Sequence, residues 1–247
     1  STSLLSLAVI VAAGGIVASM QGTLLDMVKD SLGSDFAFLP PSVELWGSNV
    51  GASPRLADEL RAVDGVETVS TLRYAPGKVN NEIVSVLGIQ PEEFQKVSGL
   101  VFIHGGPAAY GEIASGRALI ANNIFLIAAG LKAGDTVEIQ SANGPVPYRI
   151  AAVATDLLNA KISTVYISQA NLQKDFGVTE DVLLQANLKP GADREAAGEQ
   201  IKALGRDYPQ FKVISGVDYF TSLIGQFKAA FSAVYILFAV LALPSLI

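Results

Sequence analysis

The sequence predicts an α+β fold: a mixed α/β membrane-proximal lobe of order β-α-β-β…β-α-β, an inserted small β-rich lobe, and two flanking transmembrane helices. Three observations lead there. Both ends lack charge, the middle alternates short apolar strands with capped helices, and a Gly-rich stretch of short strands interrupts that alternation. Of the 247 residues 50% are hydrophobic and 16% charged, against about a quarter charged in a soluble domain. Mean hydropathy is +0.41. The predicted divisions are 1–32, transmembrane helix and stalk; 33–96, first part of the α/β lobe; 97–167, β-rich lobe; 168–217, second part of the α/β lobe; and 218–247, stalk and truncated second transmembrane helix.

The first end carries no charge from Ser1 to Leu25, and Leu4 to Met20 is apolar on every face. A helix of ~20 such residues spans a bilayer, and Gly14-Gly15 suits close helix packing there. The second run, Ala229 to Leu243, follows Lys228, whose ammonium can reach the headgroups. A signal peptide is the alternative for the first run, although no basic segment precedes it and no clear cleavage site follows. A buried core helix is the alternative for the second. Beginning at Ser1 and stopping inside an apolar run, the sequence reads as a fragment of a longer chain.

Between the ends, Asp35 to Leu45 reads as a strand, and Ser53-Pro54 opens a helix from Arg55 to Val63 by N-cap and N1-proline chemistry. Val66 to Tyr74 is a strand, Pro76-Gly77 a turn, and Val79 to Ile89 a strand. Gln90 to Phe94 begins a helical turn. In the β-rich stretch the strands are Ala118–Ala121, Thr136–Ser141, Tyr148–Val153 and Thr164–Ile167; a helix covers Asn122 to Ala129, and Asn143-Gly144 signals a hairpin. Ser168–Phe176 is a helix, Asp181–Leu188 a strand, Asp193–Leu204 a helix and Phe211–Ile214 a strand. Asp218–Phe227 leads to the second span.

Composition excludes several chemistries. A net charge of −6 argues against nucleic acid. With no Cys and one His, His104, there is neither thiol catalysis nor a Cys-ligated or His-rich metal site. No phosphate loop, G-x-G spacing or G-x-S-x-G elbow occurs. His104-Gly105-Gly106 reads as a surface turn. Asp58/Glu59 and Glu92/Glu93 are adjacent acids that diverge on a helix and read as solvated faces. Gly134-Asp135-Thr136 reads as a tight turn into a strand, and Trp46 is either a core or a membrane anchor. No catalytic, metal or cofactor-binding residue is assigned, and no cofactor is expected.

Five segments in order carry a resemblance: Leu32-Gly33-Ser34-Asp35-Phe36; Leu60 to Val69 with its Asp64-Gly65-Val66; Val86-Leu87-Gly88-Ile89-Gln90-Pro91 to Phe94; Ala128 to Val137 with Gly134-Asp135; and Tyr148 to Val153. Together they resemble the MacB-like periplasmic core domain of FtsX-type ABC-transporter permeases over nearly the whole chain. Ala152 stands where that family usually has Gly. The resemblance implies a non-enzymatic domain on the outer side of the bacterial cytoplasmic membrane. Its partners would be a cytoplasmic ABC ATPase subunit, a second permease copy in a homo- or heterodimer, membrane lipid, and a peptide, lipoprotein, drug or protein client. It would pass ATP-driven helix motion outward, for export, lipoprotein extraction or hydrolase activation. A membrane-anchored sensor or ligand-binding domain is the main alternative; a secreted binding protein and a membrane-bound hydrolase are the others.

Overall fold

The structure, a computed structural model, describes residues 33–156 and 158–242, with 12, 14–16, 18–20, 22 and 23 near the N-terminus. The chain divides into two units, Ser1–Lys29 with Val217–Ile247, and Asp30–Gly216. In chain order the elements are β1 (Phe36–Leu39), α1 (Arg55–Arg61), β2 (Val66–Val79), β3 (Glu82–Ile89), α2 (Pro91–Val97), β4 (Val101–His104), α3 (Ala108–Ser115), β5 (Ala118–Ala121), α4 (Asn123–Ala129), β6 (Thr136–Ser141), β7 (Gly144–Thr155), β8 (Thr164–Ser168), α5 (Gln169–Phe176), β9 (Leu183–Leu188), α6 (Arg194–Gly205), β10 (Lys212–Ser215) and α7 (Gly216–Ala242).

Neither expected transmembrane helix is found among the described residues. Among the described residues no helix is long and apolar enough to cross a membrane. Most of the first run, Leu4 to Met20, lies outside the described residues; those described are helical. The second run lies on α7. Within the described residues its uncharged part reaches only from Ala229 to Ala242, short of the ~20 residues a span needs.

In Asp30–Gly216 the described strands form one 10-stranded sheet, ordered β10-β1-β9-β2-β3-β8-β5-β7-β4, with β6 paired to β2 and β7. The path β2-β3-β8-β5-β7-β6 returns to β2 through Lys78↔Gln140 and so closes a small barrel. Its interior is an apolar cluster that includes Val86, Leu119, Ile139, Tyr148, Ile150 and Ile167. Phe125 and Leu126 of α4 and Leu172 and Phe176 of α5 join the same cluster. The other half of the sheet is the mixed lobe. There β10, β1, β9 and the start of β2 carry α1 and α6, with Phe36, Phe38, Leu56, Leu60, Leu184 and Ile201 in a second core. A third core lies on the opposite side, where Trp46, Leu72, Leu87, Ile89, Phe94 and Tyr110 pack together. β2 and β3, read from sequence as strands of the α/β lobe, also furnish two staves of the barrel.

Cap chemistry sets the helices. Asn122, Ser168 and Asp193 accept backbone N–H bonds at the starts of α4, α5 and α6. Gly130 and Gly177 end α4 and α5 in the left-handed conformation, at φ 68° and 72°. β1 ends at Leu39 because Pro40-Pro41 can donate no ladder hydrogen bond, so the longer strand expected to Leu45 does not form.

The β2–β3 turn falls at Asn80-Asn81 (φ 51° and 66°), a two-residue hairpin loop with both residues left-handed. Pro76-Gly77, expected to be the turn, instead lies within β2. β9 leaves β2 at Leu72 and β6 meets it only at Lys78, so Pro76 falls where one side of the strand has no partner. A Cβ on Gly77 would come within 2.6 Å of Ile139 Cγ2 and 2.9 Å of Val86 Cγ2, so only glycine fits against the barrel interior there. Gly77→Ala is therefore expected to cost roughly 1–3 kcal/mol by overpacking. Urea unfolding measures this, and Ile139→Ala, which removes the Cγ2 methyl, should cost less in the Gly77→Ala background than on its own.

Candidate coupling site at the neck of the domain

The strands through which the chain enters and leaves the sheet are neighbours. β1 lies antiparallel between β10 and β9, with Phe36 opposite both Ser215 and Ala186. The start of β1 and the end of β10 therefore lie side by side. Immediately outside this pair, the Gly216 N–H donates to the Asp35 carbonyl at 2.8 Å. A Cβ on Gly216 would stand 2.0 Å from the Ser34 carbonyl oxygen, so the crossing admits glycine only.

Asp35 is the hub of this neck. Its carboxylate accepts the Leu188 N–H at 2.7 Å and pairs with Arg194 at the start of α6. Its own N–H donates to Asn187 Oδ1 at 3.1 Å, while Asn187 Nδ2 donates to the Lys96 carbonyl at 2.9 Å. One carboxylate thus ties the entering strand to β9 and α6. The bond to Leu188 is charge-assisted and is the stronger of the two. The Arg194 side chain is 53% exposed, which leaves that ion pair worth at most about 1 kcal/mol.

Helix α6 holds the strand pair down. Gly198 and Gly205 lie two turns apart on it. A Cβ on Gly198 would meet the Phe36 ring at 3.1 Å, and one on Gly205 would meet Val213 at 2.3 Å. The helix backbone therefore lies close over β1 and β10 at once. Beneath it Phe38 and Phe211 meet edge-to-face at 6.3 Å. A displacement of both chain ends together shears β1 against β9, whereas separating them peels β10, which pairs with β1 alone among the described strands.

Two other polar clusters brace the sheet. Asp156, after β7, accepts hydrogen bonds from the Asn159 N–H at 2.7 Å and from the Tyr166 hydroxyl. Asn159 in turn accepts from Trp46 Nε1 at 2.7 Å. Burial holds the Asp156 carboxyl above its ordinary range, against the opposing pull of Tyr166 and Asn159, and burial likewise raises the Tyr166 phenol. Tyr110 is pushed up to about 12, first by burial. The second cluster joins α5 to the barrel. Arg117 binds Asp175 with both arms and stacks over Tyr148, whose hydroxyl donates to Asp175 at 2.5 Å. Asp156, Asn159 and Tyr166 are all buried, which leaves their polar atoms no opening toward a substrate.

The residues singled out from sequence stand apart. His104 is exposed at the end of β4. Asp58 pairs with Arg61, and Glu59 pairs with Arg55 and accepts from Tyr208. Glu92 and Glu93 occupy the first turn of α2, and Gly134 turns at φ 92°. Trp46 is a core residue. Among the described residues no group of three or more His, Asp or Glu side chains could hold a metal ion. Asp35 lies in the Leu32-Gly33-Ser34-Asp35 segment noted from sequence. Gly216 and Asn187 had no such signal, because their partners are distant in the chain.

Residues 2–204 match the family model described as the MacB-like periplasmic core domain. The extracellular domain of the noncanonic ABC-type transporter YknZ from Gram-positive bacteria is similar with a TM-score of 0.51 at 16% identity, covering 74% of this chain and 99% of that one. The periplasmic region of MacB from Actinobacillus actinomycetemcomitans is similar with a TM-score of 0.53 at 13% identity, covering 78% of this chain and 94% of that one. At such identities the likeness is one of fold. No curated protein matches the chain.

Asp35→Ala is expected to lower the unfolding free energy by roughly 1.5–3 kcal/mol, the value of a hydrogen bond to a charged group. Asp35→Asn should lose less, since an amide oxygen can still accept the Leu188 N–H; urea unfolding of the pair checks the ranking. A second prediction concerns pH. Ionised Asp156 is the costly form in the folded state, so its stabilising contribution is complete below about pH 4, the ordinary carboxylate value. It is lost as pH rises through the raised folded value. Unfolding free energies of the wild type and Asp156→Asn, compared from about pH 4 to about pH 8, should show the wild type losing ground as pH rises. A constant difference would mean that Asp156 ionises equally easily folded and unfolded.

Proposed function

The chain belongs to the family of MacB-like periplasmic core domains, and on that premise we propose that it passes ATP-driven motion of an ABC-transporter permease to a client outside the bacterial cytoplasmic membrane. Domains of this family are non-catalytic, and the chain is not an enzyme. ATP chemistry belongs to a separate cytoplasmic ABC subunit, which accords with a sequence that has no phosphate loop. A second permease copy completes the assembly, and the client is a peptide, lipoprotein, drug or protein.

The neck supports this reading. A domain that reports motion needs its two chain connections joined to each other and to its core, so that displacement arrives undissipated. Here the entering and leaving strands are one hydrogen-bonded pair, sealed by Asp35 and Gly216 and held under α6. Motion reaching either strand is then passed to the β1–β10 pair and its contacts with β9 and α6, a hinge or shear input of the ordinary kind.

The test uses the full-length permease in membranes. It should co-purify with a phosphate-loop ATPase. Adding ATP and magnesium should change the hydrogen-exchange protection of amides in 36–39 and 212–215 more than that of the barrel strands. Co-purification without any change at those strands would refute transmission through the neck; absence of an ATPase would refute the transporter role altogether.

A further inference from the structure

The sheet has a polar seam between its two halves. Along β2 the alternate positions Val69, Thr71, Arg73, Ala75 and Val79 share a face. Val69 belongs to the lobe core and Ala75 and Val79 to the barrel core, but Thr71 and Arg73 between them are polar. On the other face the apolar cluster runs on without such a break, through Leu72, Leu87, Ile89 and Leu183.

The seam is closed by polar contacts at each place where the chain crosses it. Arg73 Nε bonds Asp181 Oδ1 at 2.7 Å, with the two side chains 12% and 1% exposed. Asp181 lies between α5, on the barrel, and β9, in the lobe. Its backbone exchanges hydrogen bonds with Ala52 at 2.8 and 2.9 Å. Gln169 of α5 donates to the Thr71 carbonyl and hydroxyl at 2.9 and 2.8 Å, and Gln90, after β3, accepts the Thr71 N–H at 3.2 Å. Asp181 Oδ2 is buried and accepts no hydrogen bond among the described residues.

We propose that Arg73, Asp181, Thr71, Gln90 and Gln169 form a polar latch that holds lobe and barrel at one angle and opens as a hinge about β2. A buried ion pair adds little net stability over an apolar pair, and its best-attested use is to select one arrangement among several. This one selects between two rigid bodies that have separate cores. Opening it breaks polar contacts that water can replace and leaves the lobe and barrel cores on that face intact, while the continuous apolar cluster of the other face stays packed as the back of the hinge. β2 is suited to the bend, since Arg73 to Gly77 pair with β3 alone among the described strands. The latch is internal to Asp30–Gly216 and does not depend on the proposed transport role.

The chain has no cysteine, so spin labels enter cleanly at Glu199→Cys on α6 and Glu138→Cys on β6, both exposed. Pulsed electron-spin distance measurement on the full chain should give one narrow distribution. With Asp181→Asn the ratio of opened to closed forms should rise about tenfold or more, because an amide oxygen can still accept from Arg73 but the buried guanidinium loses its counter-charge. The apolar pair Arg73→Met with Asp181→Leu should restore one narrow distance. Should Asp181→Asn fail to fold, Thr71→Val with Gln169→Leu opens the other half of the latch and is expected to give the same second population. A broad wild-type distribution would overturn the proposal, and so would a folded latch variant with an unchanged narrow one.

Discussion

The structure depends on β2 serving both halves of the sheet at once. Its first residues pair with β9 and its last with β3, and Lys78 near its end meets β6 to close the barrel. Because side chains alternate along a strand, this single element determines which residues face the lobe core, the barrel interior and the outer helices. A slip of one residue would move Val69, Ala75 and Val79 to the wrong side together. The Asn80-Asn81 turn holds the register at one end, and the fit of Gly77 against Ile139 and Val86 holds it beside that turn.

Buried polar groups do a different job from the apolar cores. The cores supply non-directional stability, and the polar clusters say which arrangement is adopted. Asp156, Asn159 and Trp46 tie the segment after β7 to the short turn after β1. Arg117, Asp175 and Tyr148 set α5 on the barrel. These groups come from distant parts of the chain, so each cluster is satisfied only when several elements have docked, which makes it specific.

Much of the middle of the chain was legible because its signals are local. Caps at Asn122, Ser168 and Asp193 and the glycines after α4 and α5 mark helix ends to within a residue. Five short motifs in order carried the family. What escaped the sequence is what non-local partners decide. Pro76-Gly77 reads as a turn unless one knows that β6 and β9 leave a gap beside it. β4 and α3 flank Gly105-Gly106, and at four and eight residues each is too short to show a period. The apolar runs at the ends read as membrane spans by composition alone, and among the described residues no helix is both long and apolar enough to cross a membrane. Asp35 stood in a recognised segment, but its bond to Leu188 and the closeness of Gly216 to Ser34 depend on strands 36–39 and 212–215 being neighbours.

That neighbourhood has a consequence for the order of folding. The barrel strands all lie between residues 66 and 168, and they can pair once that stretch has been synthesised. β1 is made earlier than any of them, yet its partners are β9 and β10, the last strands to appear. Until β9 and β10 have been synthesised, apolar Phe36-Ala37-Phe38-Leu39 has neither of its partner strands to pair with. A short hydrophobic strand in that condition is a template for association with other chains. Pro40 and Pro41, which stop β1 in the finished domain, also act as gatekeepers during the wait: they deny a second nascent chain the longer ladder it would need to pair.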